Sequence, residues 1–282
     1  MKQIDHEFTA EDIRILGSGE KVGILASVDY EGLPHLTLIT SVLVNDPKHL
    51  KLGEFVVGLS KKVIQTNHKV GFAMMTLGKD LWVGKADWTH LAKSGPDYEI
   101  FNTTPMFRYN TYFGINTVHY FDLVETTRRA PLPMNPIIIA ALKTMLGKGS
   151  TKTGQKETIL TPFLQGLFNQ LAALKFLAYV GSDGYPVVIP VVQCQAADSR
   201  RLAFSTGAFR DELHAIPAGA TVAVFCMNFS FEDVLVRGTF NGFRKTLGGE
   251  MGTVDLNWVY NSMPPAIGQL YPPVEFKALT EF

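Results

Sequence analysis

Cysteine is scarce in this chain of 282 residues: Cys194 and Cys226 are the only two, too few for a disulfide scaffold and too far apart for a zinc-binding pair. A surplus of either charge is missing too, since 26 Lys and Arg face 26 Asp and Glu. With no net field there is no general attraction for DNA, RNA or anionic lipid, so nucleic acid is not expected as a partner. Long apolar runs are absent as well. The longest, Pro136 to Leu142 and Leu171 to Val180 with Lys175 inside it, fall short of the about 20 residues of a membrane-spanning helix, and no membrane partner is expected. The opening segment carries Asp5, Glu7, Glu11 and Asp12 where an export signal needs a basic start and an unbroken apolar stretch, so a cytoplasmic protein is expected.

Common catalytic signatures are also lacking. His6, His35, His49, His68, His90, His119 and His214 show no H-x-x-x-H or H-E-x-x-H spacing, so no dedicated metal site is expected. Gly17-Ser18-Gly19 has no third glycine and precedes a strand, which excludes a dinucleotide-binding turn there. Walker loops and G-x-S-x-G are missing.

What the chain has is 46% hydrophobic residues, enough for one large core or two ordinary ones, and an internal repeat. Val22 to Val44 reads as an apolar strand, a turn at Glu31-Gly32 and a second strand after Pro34. Phe176 to Cys194 repeats the design with Asp183-Gly184 and Pro186. Each hairpin carries G-x-P, and glycine supplies the positive φ of a tight turn. Another strand follows each hairpin (His49 to Val57; Arg201 to Ser205), then a short polar helical segment, then a further apolar strand (Val70 to Thr76; Thr221 to Met227). Thr9 and Asp12 fit a capping box opening a first helix, and Thr161-Pro162 an N-cap opening another through about Leu174. Proline and glycine punctuate Thr126 to Lys156, a linker with one helix over Pro136 to Leu146. The expected organisation is a domain over 1–127, a linker with a short helix over 128–160 and a second, degenerate domain over 161–282. The expected fold is mainly β (α+β): two tandem antiparallel split β-barrels, each with short flanking helices, since closure removes exposed strand edges.

The chemistry concentrates after the strand that ends in Phe55-Val56-Val57. There Gly58, Ser60, Lys61 and Lys62 supply a free backbone, a hydroxyl and two ammonium groups at the start of a helical segment, the makings of a phosphate cradle. The order of G-x-P hairpin, strand, G-x-S-[RK]-K loop, helix and apolar strand resembles the pyridoxamine 5′-phosphate oxidase-like, FMN-binding split-barrel superfamily. The resemblance runs over Lys21 to about Trp88, and more loosely over Phe176 to Arg244. It implies FMN as cofactor, with Ser60, Lys61 and Lys62 on its phosphate, Thr37, Leu38, Ile39 and Thr40 along the ribityl chain and ring, and Phe55 and Val56 at the end of the next strand. Trp88 is placed where such proteins turn a side chain toward the ring. Vitamin B6 oxidation is disfavoured, because the family's arginine on the flavin strand is Thr37 here and its C-terminal substrate-phosphate arginines are missing.

Leu81 to Glu125 is dense in aromatics, most of them expected in the core. Arg108, within Pro105 to Tyr109, is the candidate for a substrate carboxylate. In the second repeat Arg210 is followed by Asp211 and Glu212, whose charges would repel a phosphate, so no second flavin is expected there. The functional expectation is a flavoprotein oxidoreductase acting on a small molecule or electron donor; the alternative is a non-catalytic flavin-, deazaflavin- or haem-binding module for storage, sensing or regulation. Split barrels pair, so the resemblance implies either a homodimer or a second repeat that serves as the built-in partner.

Overall fold

A computed structural model describes residues 3–17, 20–55, 58–104, 114–155, 157–230, 232–261 and 268–273. Val56 and Arg108 lie outside the described residues. The chain divides into two compact units, Met1–Leu132 with Val180–Val188, and Pro133–Tyr179 with Ile189–Phe282.

The first unit runs β1 (Ile4–Asp5), α1 (Ala10–Leu16), β2 (Lys21–Val28), β3 (Pro34–Leu38), β4 (Val42–Val44), β5 (His49–Glu54), α2 (Leu59–Val63), β6 (Lys69–Thr76), β7 (Asp80–Ala92), α3 (Pro96–Thr103), β8 (Thr117–Thr127) and β9 (Ala130–Pro131). Its main strand order is β3-β2-β6-β7-β8-β5-β4, every pairing antiparallel. The second repeat runs α4 (Met134–Gly147), α5 (Pro162–Asn169), β10 (Leu174–Val180), β11 (Pro186–Pro190), β12 (Gln195–Ala196), β13 (Arg201–Ser205), α6 (Arg210–His214), β14 (Thr221–Met227), β15 (Asp233–Thr246), β16 (Gly249–Asn261) and β17 (Gly268–Tyr271). Its order β11-β10-β14-β15-β16-β13-β12 matches the first unit strand for strand, so the chain is two antiparallel split barrels in tandem.

Local chemistry explains the shared elements. Gly32 and Gly184 take φ of 77° and 82° at the hairpin turns, which a side chain would strain. Thr9 caps α1 through the amide of Asp12 while the Asp12 carboxylate accepts from the Thr9 amide, closing the expected capping box. The other oxygen of Asp12 accepts from Trp82 Nε1 at 2.9 Å, so one carboxylate ties the first helix to the centre of β7. Trp82 is fully buried in a core with Leu25, Val44, Leu52, Phe72 and Met74. Inside this barrel lies an apolar void of about 20 Å³, lined by Ile39, Leu52 and Phe72 among others.

Two boundaries differ from the sequence reading. β5 stops at Glu54, paired with Thr117 of β8, and Phe55 already lies in a bend where the sequence suggested strand to Val57. α5 ends at Asn169 and not near Leu174, because Leu174 enters β10 opposite Met227.

Both cysteines are buried, and burial pushes each thiol up to about 12. Native protein at pH 8 should consume no thiol reagent, and denatured protein two equivalents. Rapid native labelling of either cysteine would contradict this burial.

Candidate functional site

Of the expected site residues, Ser60, Lys61 and Lys62 fall where β5 gives way to α2. Gly58 precedes the helix in extended backbone, Ser60 is buried, Lys61 is half-buried and Lys62 exposed. α2 packs against β2 and β3, which brings this loop beside the strand that carries Thr37 and Leu38, both half-buried. Past the strand end, Ile39 is buried against the interior void, its amide bonded to the Gly23 carbonyl at 2.7 Å, while Thr40 is exposed. Phe55 is half-buried at the β5 exit.

Lys61 is the group of most interest. Desolvation lowers its ammonium below the ordinary 10.5, and the negative charge of Glu54 opposes that shift. Among the described residues neither Lys61 nor Lys62 has an ion-pair partner within 4 Å. Glu54 is already committed elsewhere: its carboxylate meets His119 Nε2 at 2.8 Å, with both side chains nearly inaccessible. A half-buried cation without a direct partner is a standing electrostatic cost that an anionic ligand removes.

Trp88, on β7, joins the same region through His119. Its indole Nε1 donates to His119 Nδ1 at 3.1 Å. Because an indole N–H can only donate, Nδ1 accepts and the ring proton sits on Nε2, facing Glu54. The chain Trp88–His119–Glu54 thus gives both ring nitrogens of His119 a partner. The sequence reading missed this chain; its members stand 31 and 65 residues apart, and only the β5–β8–β7 pairing unites them.

The equivalent loop of the second unit is built differently. β13 ends at Ser205 opposite Met251 as β5 ends at Glu54 opposite Thr117, and α6 starts at Arg210 as α2 starts at Leu59. Asp211 and Glu212 then hold the places of Ser60 and Lys61, and Glu250 that of Asn116. One oxygen of Glu250 receives Thr206 Oγ1 at 3.0 Å, His214 Nε2 at 2.9 Å and Arg210 Nη2 at 3.4 Å. Burial raises the Glu250 carboxyl, but the His214 and Thr206 hydrogen bonds and the nearby cations outweigh it and hold the group below the ordinary value. The chain's own carboxylate gathers the donors that a phosphate would use.

A separate cleft of about 530 Å³ opens at the other end of β5, with Asp46, His49, Lys51, His90, Asp97 and Asp122 on its walls. Its three carboxylates against one ammonium make it unsuited to a phosphate. Among the described residues no three His, Cys, Asp or Glu side chains are grouped as metal ligands, and no helix is long and apolar enough to cross a membrane.

No family model matches the chain, and no curated protein does. Solved structures do. HupZ of Group A Streptococcus is 16% identical, with 44% of this chain and 98% of HupZ covered at a TM-score of 0.36. An FMN-binding protein from Syntrophomonas wolfei is 15% identical, with 37% of this chain and 74% of that one covered at 0.32. A FAD-binding protein from Mesorhizobium loti is 15% identical, with 45% and 98% covered at 0.30. By its strand order and its paired G-x-P hairpins, the chain is two antiparallel split barrels in tandem.

Proposed function

We propose that the first barrel binds FMN, its phosphate at Ser60, Lys61 and Lys62, and that the protein is a flavin-dependent oxidoreductase. The observation that carries this reading is Lys61: a half-buried ammonium with no ion-pair partner within 4 Å among the described residues, beside a buried serine at the exit of β5. A phosphate monoester fits this donor set through charge-assisted hydrogen bonds. The interior void of about 20 Å³ is too small for a flavin ring, which agrees with a ring bound outside the barrel.

When bound, flavin supplies the electron transfer; the protein's residues bind and orient. Lys61 and Lys62 neutralise the phosphate, and Ser60 donates a hydrogen bond to it. Thr37, Leu38 and Thr40 line the approach along β3 and its exit. Trp88 is held in one rotamer by His119, and His119 in one tautomer by Glu54. None of these groups is assigned a proton-transfer step, and the substrate class is a small molecule or electron donor. A cytoplasmic location goes with this reading.

Titration of the purified chain with FMN should change tryptophan fluorescence and saturate at one FMN per chain. A nicotinamide or other low-potential donor should reduce the bound flavin, and an acceptor should reoxidise it in turnover. Redox-silent binding would transfer the protein to the storage or sensing class; no binding at all would overturn the flavin assignment.

A further inference from the structure

Helix α4 is apolar on both sides. Ile137, Ala140, Ala141, Thr144 and Gly147 are buried, with Gln195 of β12 donating to the Ala141 carbonyl at 3.0 Å. The opposite arc carries Ile138, Ile139, Leu142, Met145 and Leu146, which are 46–69% exposed. At 100° per residue these five fill a stripe of about 120°. A surface helix ordinarily turns charged or polar side chains to water, and one that is apolar all round belongs in an interior. On the solvent side of α4 the polar residues are Asn135 and Lys143.

The stripe does not end with the helix. α5 also packs on β12, and Lys148 at the end of α4 donates to Asn169 Oδ1 at the end of α5 at 2.6 Å. On α5, Phe163 is exposed as well. Six large side chains about half exposed present roughly 500 Å² of apolar surface, at the upper range of what a monomer shows to water.

We propose that this α4 stripe is the contact surface for a second copy of the same chain. Doubled across a two-fold axis, the surface buries about 1,000 Å², the lower bound for a specific interface. Charge chooses the partner. The stripe has no acidic residue and only Lys143 beside it, so a charged partner surface gains nothing, whereas the stripe is its own complement. A lipid surface is a poor match too, because interfacial helices carry several Lys or Arg on their polar face. The stripe is centred on Leu142, so an antiparallel pairing about that residue sets Ile138 against Leu146 of the partner subunit, the isologous arrangement that two-fold dimers require.

The test uses the full chain. Its native mass at micromolar concentration should be twice 31.1 kDa. Leu142→Glu with Met145→Glu should give the single-chain mass with an unchanged circular dichroism spectrum. Leu142→Cys offers a second route, because both native thiols are buried. Mild oxidation should link two copies of that variant through one disulfide, and should leave Tyr30→Cys, exposed on the first unit, unlinked. Three results overturn the proposal: a monomeric native chain, whether or not it sediments with phosphatidylglycerol vesicles; a glutamate variant that stays dimeric; or a Leu142→Cys variant that never cross-links.

Discussion

Replacing Lys61 and Lys62 together by alanine should weaken FMN binding about 100-fold while leaving riboflavin, which lacks the phosphate, at its wild-type affinity. Each charge-assisted contact contributes about 1.5–3 kcal/mol. Exposed Lys62 belongs at the low end of that range and half-buried Lys61 higher, so roughly 3 kcal/mol in total, or two decades in Kd, is expected. Lys152→Ala, an exposed cation of the second unit, should change neither ligand's affinity. Isothermal titration of the two ligands against the three proteins decides the matter. A loss shared equally by FMN and riboflavin would mean that the loop was damaged and that no phosphate sits there.

The same comparison has a pH signature. The Lys61 ammonium is charged below its pKa, and burial has moved that value down from 10.5. Preference for FMN over riboflavin should therefore be largest near neutrality and decline as pH rises through the lowered pKa, earlier than an ordinary lysine would allow. Lys61→Arg should extend the preference to higher pH, since a guanidinium stays protonated throughout.

The parts of the molecule legible in the sequence were those governed by neighbours along the chain. The G-x-P hairpins, the Thr9–Asp12 capping box and the strand Thr221–Met227 each follow from a few consecutive residues. What was not legible depended on partners elsewhere. Whether β5 continues past Glu54 is decided by where β8 stops offering bonds, and whether α5 continues past Asn169 by the claim of β14 on Leu174. The site divides along the same line. Ser60, Lys61 and Lys62 stand out as adjacent letters, and their position at one strand exit was foreseeable. The Trp88–His119–Glu54 chain was not, because a tryptophan, a histidine and a glutamate on three strands carry no common signal until register brings them together. Glu250 is similar: Asp211 and Glu212 drew attention by following Arg210, yet the carboxylate that receives the Thr206, Arg210 and His214 donors comes from 36–44 residues further on.

Trp82→Ala should destabilise the first unit by about 3–5 kcal/mol, a large share of the roughly 5–15 kcal/mol that holds an ordinary domain. Trp82 is fully buried, and its removal leaves a cavity that neighbouring strands, locked by antiparallel pairing, cannot close. A second loss adds to the first. The indole N–H bonds to Asp12, whose other oxygen serves the α1 cap, so the truncation also strips a partner from a buried carboxylate. Trp82→Phe separates the two effects: it keeps most of the volume and loses only the hydrogen bond, with an expected cost of about 1–3 kcal/mol. Asp12→Ala reaches the same bond from the other side and removes the cap as well. Because Asp12 and Trp82 share one contact, Asp12→Ala with Trp82→Phe should cost less than the sum of the single changes, by on the order of 1 kcal/mol. Urea unfolding followed by circular dichroism measures all four variants. If Trp82→Ala costs less than about 1 kcal/mol, or if the double change is simply additive, then the Asp12–Trp82 bond does not join α1 to the barrel core in the way its geometry indicates.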